Sequence, residues 1–266
     1  MQHILSLSYG KDSLACLGAI EKLGWTLDRI VHAEVWATDT IPADLPPMVE
    51  FKAKADAIIK ARWGIEVEHV CAMRDGKKLT YENQFYTRRK YSKNGNDIHI
   101  MYGWPYQFGA WCNSRLKVSA LVKCSPKGII SYRGIAIDEP KRLARLDGVT
   151  SVSPLAAAGW TESKCREWCE ENNLLSPIYT HSSRGGCWFC HNQSVNQLRL
   201  LRKMYPEYWS LMLKWDKDSP TTFDTKGRTL HDYESRFQLE DEGFLSPDDK
   251  KFRWSVLEEE LNYRWF

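Results

Sequence analysis

Two short stretches of this 266-residue chain combine residue types that can do chemistry. The first is Ser8-Tyr9-Gly10-Lys11-Asp12-Ser13. Gly10 lets the backbone come close to an anion, and free N–H groups ahead of a helix add to the positive end of its dipole. Ser8 and Ser13 bring hydroxyl donors, Lys11 a point charge, and Asp12 either a ligand for Mg²⁺ or a helix cap. These types predict a phosphate cradle, with an ordinary glycine turn between strand and helix as the alternative. The Walker spacing is absent. The second stretch is Gly185-Gly186-Cys187-Trp188-Phe189-Cys190. A C-x-x-C after glycines can aim two thiolates at one centre, for zinc, an iron–sulfur cluster or redox exchange. Two cysteines that bind nothing are the alternative.

The elements around these stretches follow from periodicity. His3 to Leu7 reads as a strand and Leu14 to Leu23 as a helix stopped by Gly24, with apolar residues at 14, 17, 20 and 23. A second strand is expected over Ile30 to Ala37, ending at Thr38-Asp39-Thr40. Loops at the carboxyl ends of parallel strands bind ligands, which makes Asp39 a candidate. Pro46 and Pro47 open a helix with Met48, Phe51, Ala55 and Ile58 on one face, and Ile65 to Val70 alternates as a third strand. Strand and helix in alternation predict an α/β fold: a Rossmann-like, mostly parallel sheet with helices on both faces.

From Arg74 to Trp111 the apolar periodicity gives way to a basic and aromatic segment that includes Arg88, Arg89, Tyr91, Lys93, Tyr102, Tyr106 and Phe108. It reads as an inserted lid or recognition segment, or as a solvated excursion pinned by its rings. Ile129 to Ile135 is a further strand, and Thr161 caps a helix carrying Cys165, Trp168 and Cys169 on one face. The domain expected over 1–190 is followed by a helical extension over 191–266.

Composition narrows the function classes. Lysine and arginine number 37 against 34 acidic residues, a net charge of +3, so a nucleic-acid partner is not demanded. Without an apolar run of membrane-spanning length, and with a strand starting near Met1, a cytoplasmic protein with no membrane partner is expected. In a reducing compartment eight cysteines predict metal ligands, reactive thiols or small core residues rather than disulfides. Twelve tryptophans point first to a core.

The Ser8–Ser13 loop resembles the pyrophosphate loop, S-x-G-K-D-S, of the adenine-nucleotide α-hydrolase superfamily, which includes ATP pyrophosphatases and PAPS reductases. Further blocks of the chain resemble the PAPS reductase family in the same order: Asp39-Thr40, Trp111-Cys112 with Leu116-Lys117, Gly134-Ile135 with Asp138-Glu139 and Arg142, the Pro154 to Trp160 run, and Arg184 to Cys190. The resemblance implies that Ser8, Tyr9, Gly10, Lys11, Asp12 and Ser13, with Asp39, Arg115, Lys117, Gly134, Asp138 and Arg142, bind an adenine nucleotide, and that Lys11, Asp12 and Ser13 are catalytic. The family's first arginine in this block is Ala136 here, and the resemblance implies that its task, where needed, falls to Arg133 or Arg145. The resemblance also implies a metal centre on Cys112, Cys187 and Cys190, with Cys124 or His191 as fourth ligand or that position open, holding zinc or a [4Fe–4S] cluster.

The reductases carry a nucleophilic cysteine in a C-terminal tail, and no cysteine follows Cys190 here. The resemblance therefore implies an ATP pyrophosphatase-like enzyme that uses ATP with Mg²⁺ and releases AMP and pyrophosphate, with water or an unknown acceptor as nucleophile. Alternatives are a PAPS or APS reductase-like enzyme, a sulfur transferase acting on RNA with an iron–sulfur cluster and a sulfur-donor protein, and a nucleotide-binding accessory protein of a mobile-element or CRISPR-type system. A homodimer stays open.

Overall fold

The computed structural model describes residues 1–90, 99–105, 110–125, 128–180, 185–248 and 252–254. Tyr91, Lys93, Tyr106, Phe108 and Arg184 lie outside them. The chain forms two compact units, one of residues 1–83 and 111–188, the other of 84–110 and 189–266.

The first unit is built on a parallel sheet of β1 (Gln2–Ser6), β2 (Arg29–Glu34), β3 (Val67–Cys71), β6 (Ile129–Tyr132) and β7 (Ser151–Val152), in the order β3-β2-β1-β6-β7. A separate ribbon pairs β4 (Met73–Arg74) with β5 (Lys77–Lys78). The unit's helices are α1 (Lys11–Leu23), α2 (Pro46–Trp63), α4 (Ser119–Cys124), α5 (Pro140–Leu143), α6 (Pro154–Ala157) and α7 (Glu162–Glu171); a short α3 (Tyr81–Phe85) leads out of it.

Register explains why the central strands are apolar throughout. Leu5 stands beside Ile30 on one side and Tyr132 on the other, and this row packs into a core with Leu14 and Leu17 of α1, Phe51, Ala55 and Ile59 of α2, and Trp168 of α7. Ile4 and Val31, buried at the alternate positions, face the other side of the sheet. There α4 and a π-helical turn, Asn113–Val118, lie against β2. The sheet thus carries helices on both faces.

Helix α1 begins three residues earlier than its apolar periodicity suggests. It is buried continuously from Ser13 to Ile20 rather than along one stripe, because it is wedged between the sheet and helices α6 and α7. Gly24 and Gly64 end α1 and α2 in the left-handed conformation, and the Thr161 hydroxyl accepts from the Lys164 N–H at 3.3 Å at the start of α7.

The second unit contains α8 (Val195–Met204), α9 (Pro206–Asp218) and α10 (Leu230–Asp241). Its core stacks Phe85, Trp104, Trp215 and Phe223 edge to face. The carboxylate of Asp216 is buried among them and accepts from Trp104 Nε1 at 2.9 Å and from the Leu230 N–H at 2.9 Å, which caps α10 from outside its own segment. Among the described residues, no helix is long and apolar enough to cross a membrane.

The α1–α7 contact is made at backbone distance. A Cβ at Gly18 would sit 2.3 Å from Cε2 of Trp168. Gly18→Ala is expected to lower the unfolding free energy by ~1–3 kcal/mol, the usual range for overpacking a core. Urea denaturation followed by circular dichroism measures it, and wild-type stability would contradict the contact.

Candidate functional site

The chain turns away from β1 and β6 on opposite sides, so the carboxyl ends of these neighbouring strands leave a crevice, the place where open parallel sheets bind ligands. A cleft of about 720 Å³ opens there, a size that suits a small-molecule ligand. Residues Ser8 to Ser13 form one wall, and Arg133, Gly134 and Ile135 of the turn after β6 form another.

The loop holds its own shape. The Ser13 hydroxyl donates to the Gly10 carbonyl at 2.9 Å and accepts from the Ser8 N–H at 3.1 Å and the Ser8 hydroxyl at 3.0 Å. The proton of Ser13 is thus engaged inside the loop. Helix α1 starts at Gly10 with no side-chain cap, and its first intrahelical bond runs from the Leu14 N–H to the Gly10 carbonyl. Ahead of that bond, the Lys11 N–H donates to the Tyr179 hydroxyl at 3.0 Å, and those of Asp12 and Ser13 have no acceptor among the described residues. A helix start without a side-chain cap has the donors to take an anion.

Gly134 explains how the walls meet. A Cβ there would lie 2.7 Å from the Ser13 nitrogen and 2.8 Å from the Asp12 carbonyl carbon. Backbone packs on backbone, which only glycine allows.

Charge in the cleft is mostly paired. Lys11 Nζ lies 2.6 Å from Asp12 Oδ1 and 3.1 Å from Glu162 Oε2. Burial opposes the lysine's charge, but the two carboxylates outweigh it and hold its pKa above the ordinary value. For Asp12 burial is the larger effect, and the carboxyl is pushed up despite Lys11. Arg142 pairs with Glu139. Arg133, whose pKa burial lowers, reaches only the Ser6 hydroxyl at 3.4 Å and has no carboxylate partner among the described residues.

Of the residues singled out by sequence, Ser8 to Ser13, Lys117, Gly134, Arg142 and Cys187 line the cleft. Arg133 lines the cleft and Arg145 does not. Neither Arg115 nor Asp39 lines it. Asp39 is exposed at a turn tip, its carbonyl accepting from Lys78 Nζ at 3.1 Å. Asp138 instead accepts from the Glu162 N–H at 3.1 Å, at the start of α7.

Of the four cysteines, Cys187 lines the cleft and Cys112, Cys124 and Cys190 do not. Among the described residues no group of three or more histidine, cysteine or acidic side chains is placed to hold a metal ion.

Sequence reasoning missed Tyr179, Glu162, Asp44 and Lys52. All four line the cleft, and all reach it through tertiary contacts that no local pattern signals.

No family model and no solved structure matches the chain. The chain is similar to the uncharacterized nin region protein ORF290 of Escherichia phage lambda, with 30% identity over 122 residues. That stretch is 44% of this chain and 41% of the phage protein, so the match spans less than half of either.

Two variants test whether this helix start binds an anion, with pyrophosphate as probe. Gly134→Ala forces the walls apart and is expected to weaken binding more than about tenfold in calorimetry, a loss of ~1.4 kcal/mol. Glu162→Gln releases one of two carboxylates from Lys11 and is expected to tighten binding by up to about fivefold, the worth of a partly exposed ion pair. Unchanged affinity in both would remove the loop from anion binding.

Proposed function

We propose that this chain binds the polyphosphate of ATP on the Ser8–Ser13 loop and cleaves the bond between the α- and β-phosphates, releasing AMP and pyrophosphate. The observation that carries the reading is the start of α1, without a side-chain cap, at the crevice between β1 and β6, faced by the guanidinium of Arg133, which has no carboxylate partner among the described residues. The order of motif blocks that resemble PAPS reductases adds the nucleotide and the bond.

In this reading water or an acceptor attacks the α-phosphorus. The bond from that phosphorus to the bridging oxygen breaks, and pyrophosphate leaves with the electron pair. Negative charge grows on the leaving group, where the loop N–H groups, Lys11 and Arg133 stabilise it. Fixed donors in a partly dry cleft need no reorganisation as charge develops, which is why they stabilise it more than water does. Mg²⁺ arrives with the nucleotide as part of the substrate. Lys11 must exchange its carboxylates for phosphate oxygens, an exchange of like partners that costs little net charge.

The phage origin of the similar protein favours one second reading, a nucleotide-binding accessory protein of a mobile element. Incubation with Mg²⁺ and α-³²P-labelled ATP separates the two. Radioactive AMP is expected from the wild type and none from Lys11→Ala with its circular dichroism unchanged. ATP binding without AMP favours the accessory role, and AMP release that survives loss of Lys11 contradicts the assignment.

A further inference from the structure

The second residue of the loop is strained. Tyr9 has φ +56°, the left-handed region, although it carries a side chain. That conformation costs ~1–2 kcal/mol for a residue other than glycine, and it persists where surrounding contacts hold it. The Tyr9 ring is wholly buried, its hydroxyl donates to Asp56 of α2, and its oxygen lies 3.1 Å from Nε2 of His69 on β3. The ring of His32 on β2 stands edge-on at 4.8 Å, and Lys52 Nζ of α2 lies 5.3 Å from the ring centre.

The network also grips the residue on the other side of Ser8. His32 Nδ1 donates to the Leu7 carbonyl at 2.9 Å, while its Nε2 accepts from Lys52 Nζ at 2.7 Å. Burial and the neighbouring Lys52 push this imidazole down to about 3, so it stays neutral and keeps both bonds. Lys52 is itself paired with Asp44. Leu7 and Tyr9 are therefore both fastened to side chains of β2, β3 and α2.

We infer that Tyr9 is a positioning residue: its hydroxyl, anchored by Asp56 and His69, fixes the left-handed turn that sets the Gly10–Ser13 backbone against the cleft. The inference rests on the reading that this backbone binds nucleotide phosphates. A glycine would adopt the same turn freely and leave the loop loose, so the tyrosine exchanges freedom for a fixed register.

The anchor has a defined pH range. His69 faces Asp56 Oδ2 at 2.8 Å, Glu34 Oε1 at 3.8 Å, the His32 ring at 5.4 Å between centroids, and the Tyr9 oxygen; Lys52 lies beyond His32. The bonds to Asp56 and then Glu34 hold its pKa up to about 9. A raised imidazole pKa contributes stability that is fully present below about 6.5 and is lost as pH rises through about 9.

Tyr9→Phe keeps the ring and removes the anchor; Asp56→Asn is the second variant should the first fold poorly. Hydrogen exchange at pH 7 needs no ligand: protection of the hydrogen-bonded loop amides, Ser8 and Lys11, is expected to fall about tenfold or more in the variant, with β1 and β2 unchanged. Affinity for Mg²⁺ with α,β-methylene ATP is expected to fall about tenfold as well. Wild-type affinity should drop between pH 8 and 10, and the variant should lack that step. Unchanged loop protection overturns the anchor, whatever the nucleotide result. Lost protection with unchanged affinity and an intact pH step overturns the positioning role. A wild type that binds no nucleotide overturns the functional reading, while the exchange data still decide whether Tyr9 holds the loop.

Discussion

The turn after β6 and the start of α1 touch backbone to backbone, and the rest of the cleft depends on that distance. With Gly134 lying on Ser13 and Asp12, the crevice between β1 and β6 has one wall of loop amides and another that presents Arg133. Helix α1 can hold this place because its far side is equally close-packed, Gly18 against Trp168. The two glycines act at opposite ends of one constraint. One sets how near the helix start comes to the sheet's carboxyl edge, and the other sets how near the helix body comes to α7. A parallel sheet covered on both faces provides the burial that makes such close approach favourable.

Electrostatics then divides the cleft. Lys11 is held by Asp12 and Glu162, Lys52 by Asp44, and Arg142 by Glu139, so these cations carry their own counter-charges. Arg133 and the helix start do not. An incoming polyanion meets donors that are partly neutralised and must displace carboxylates or the Tyr179 hydroxyl to use them all. In the proposed reading such a site favours a ligand with several phosphates over a single small anion, because only a multidentate ligand compensates each exchange. Beneath it, the Tyr9 network keeps the loop from relaxing when these partners change.

Much of the scaffold was legible from residue types. The run from His3 through Ser13 announces strand, loop and helix, and Gly24, Gly64, Pro46 and Thr161 mark element ends by mechanisms that act locally. What stayed hidden depends on chain reversals. Asp39 was the natural candidate after β2, yet Trp36 bridges back to Pro42 and the Ala37 N–H bonds the Ile41 carbonyl at 2.8 Å. That tight reversal throws Asp39 to the tip and returns Asp44 to the cleft. Lys52 sits on the apolar face of α2, where its charge argues against burial until Asp44 and His32 are seen beside it. Tyr179 meets Lys11 across more than 160 residues, a contact no periodicity encodes. The resemblance to PAPS reductases implies one centre on Cys112, Cys187 and Cys190, and among the described residues no group of three or more histidine, cysteine or acidic side chains is placed to hold a metal ion.

The central claim is that the backbone at the start of α1 is the anion site. Amide ¹H–¹⁵N spectra recorded during a pyrophosphate titration test it most directly. Saturable shifts concentrated on Gly10, Lys11, Asp12 and Ser13, with the Arg133 side chain moving alongside them, are the predicted result. Shifts that leave these residues unmoved, or that centre on another part of the chain, would contradict it.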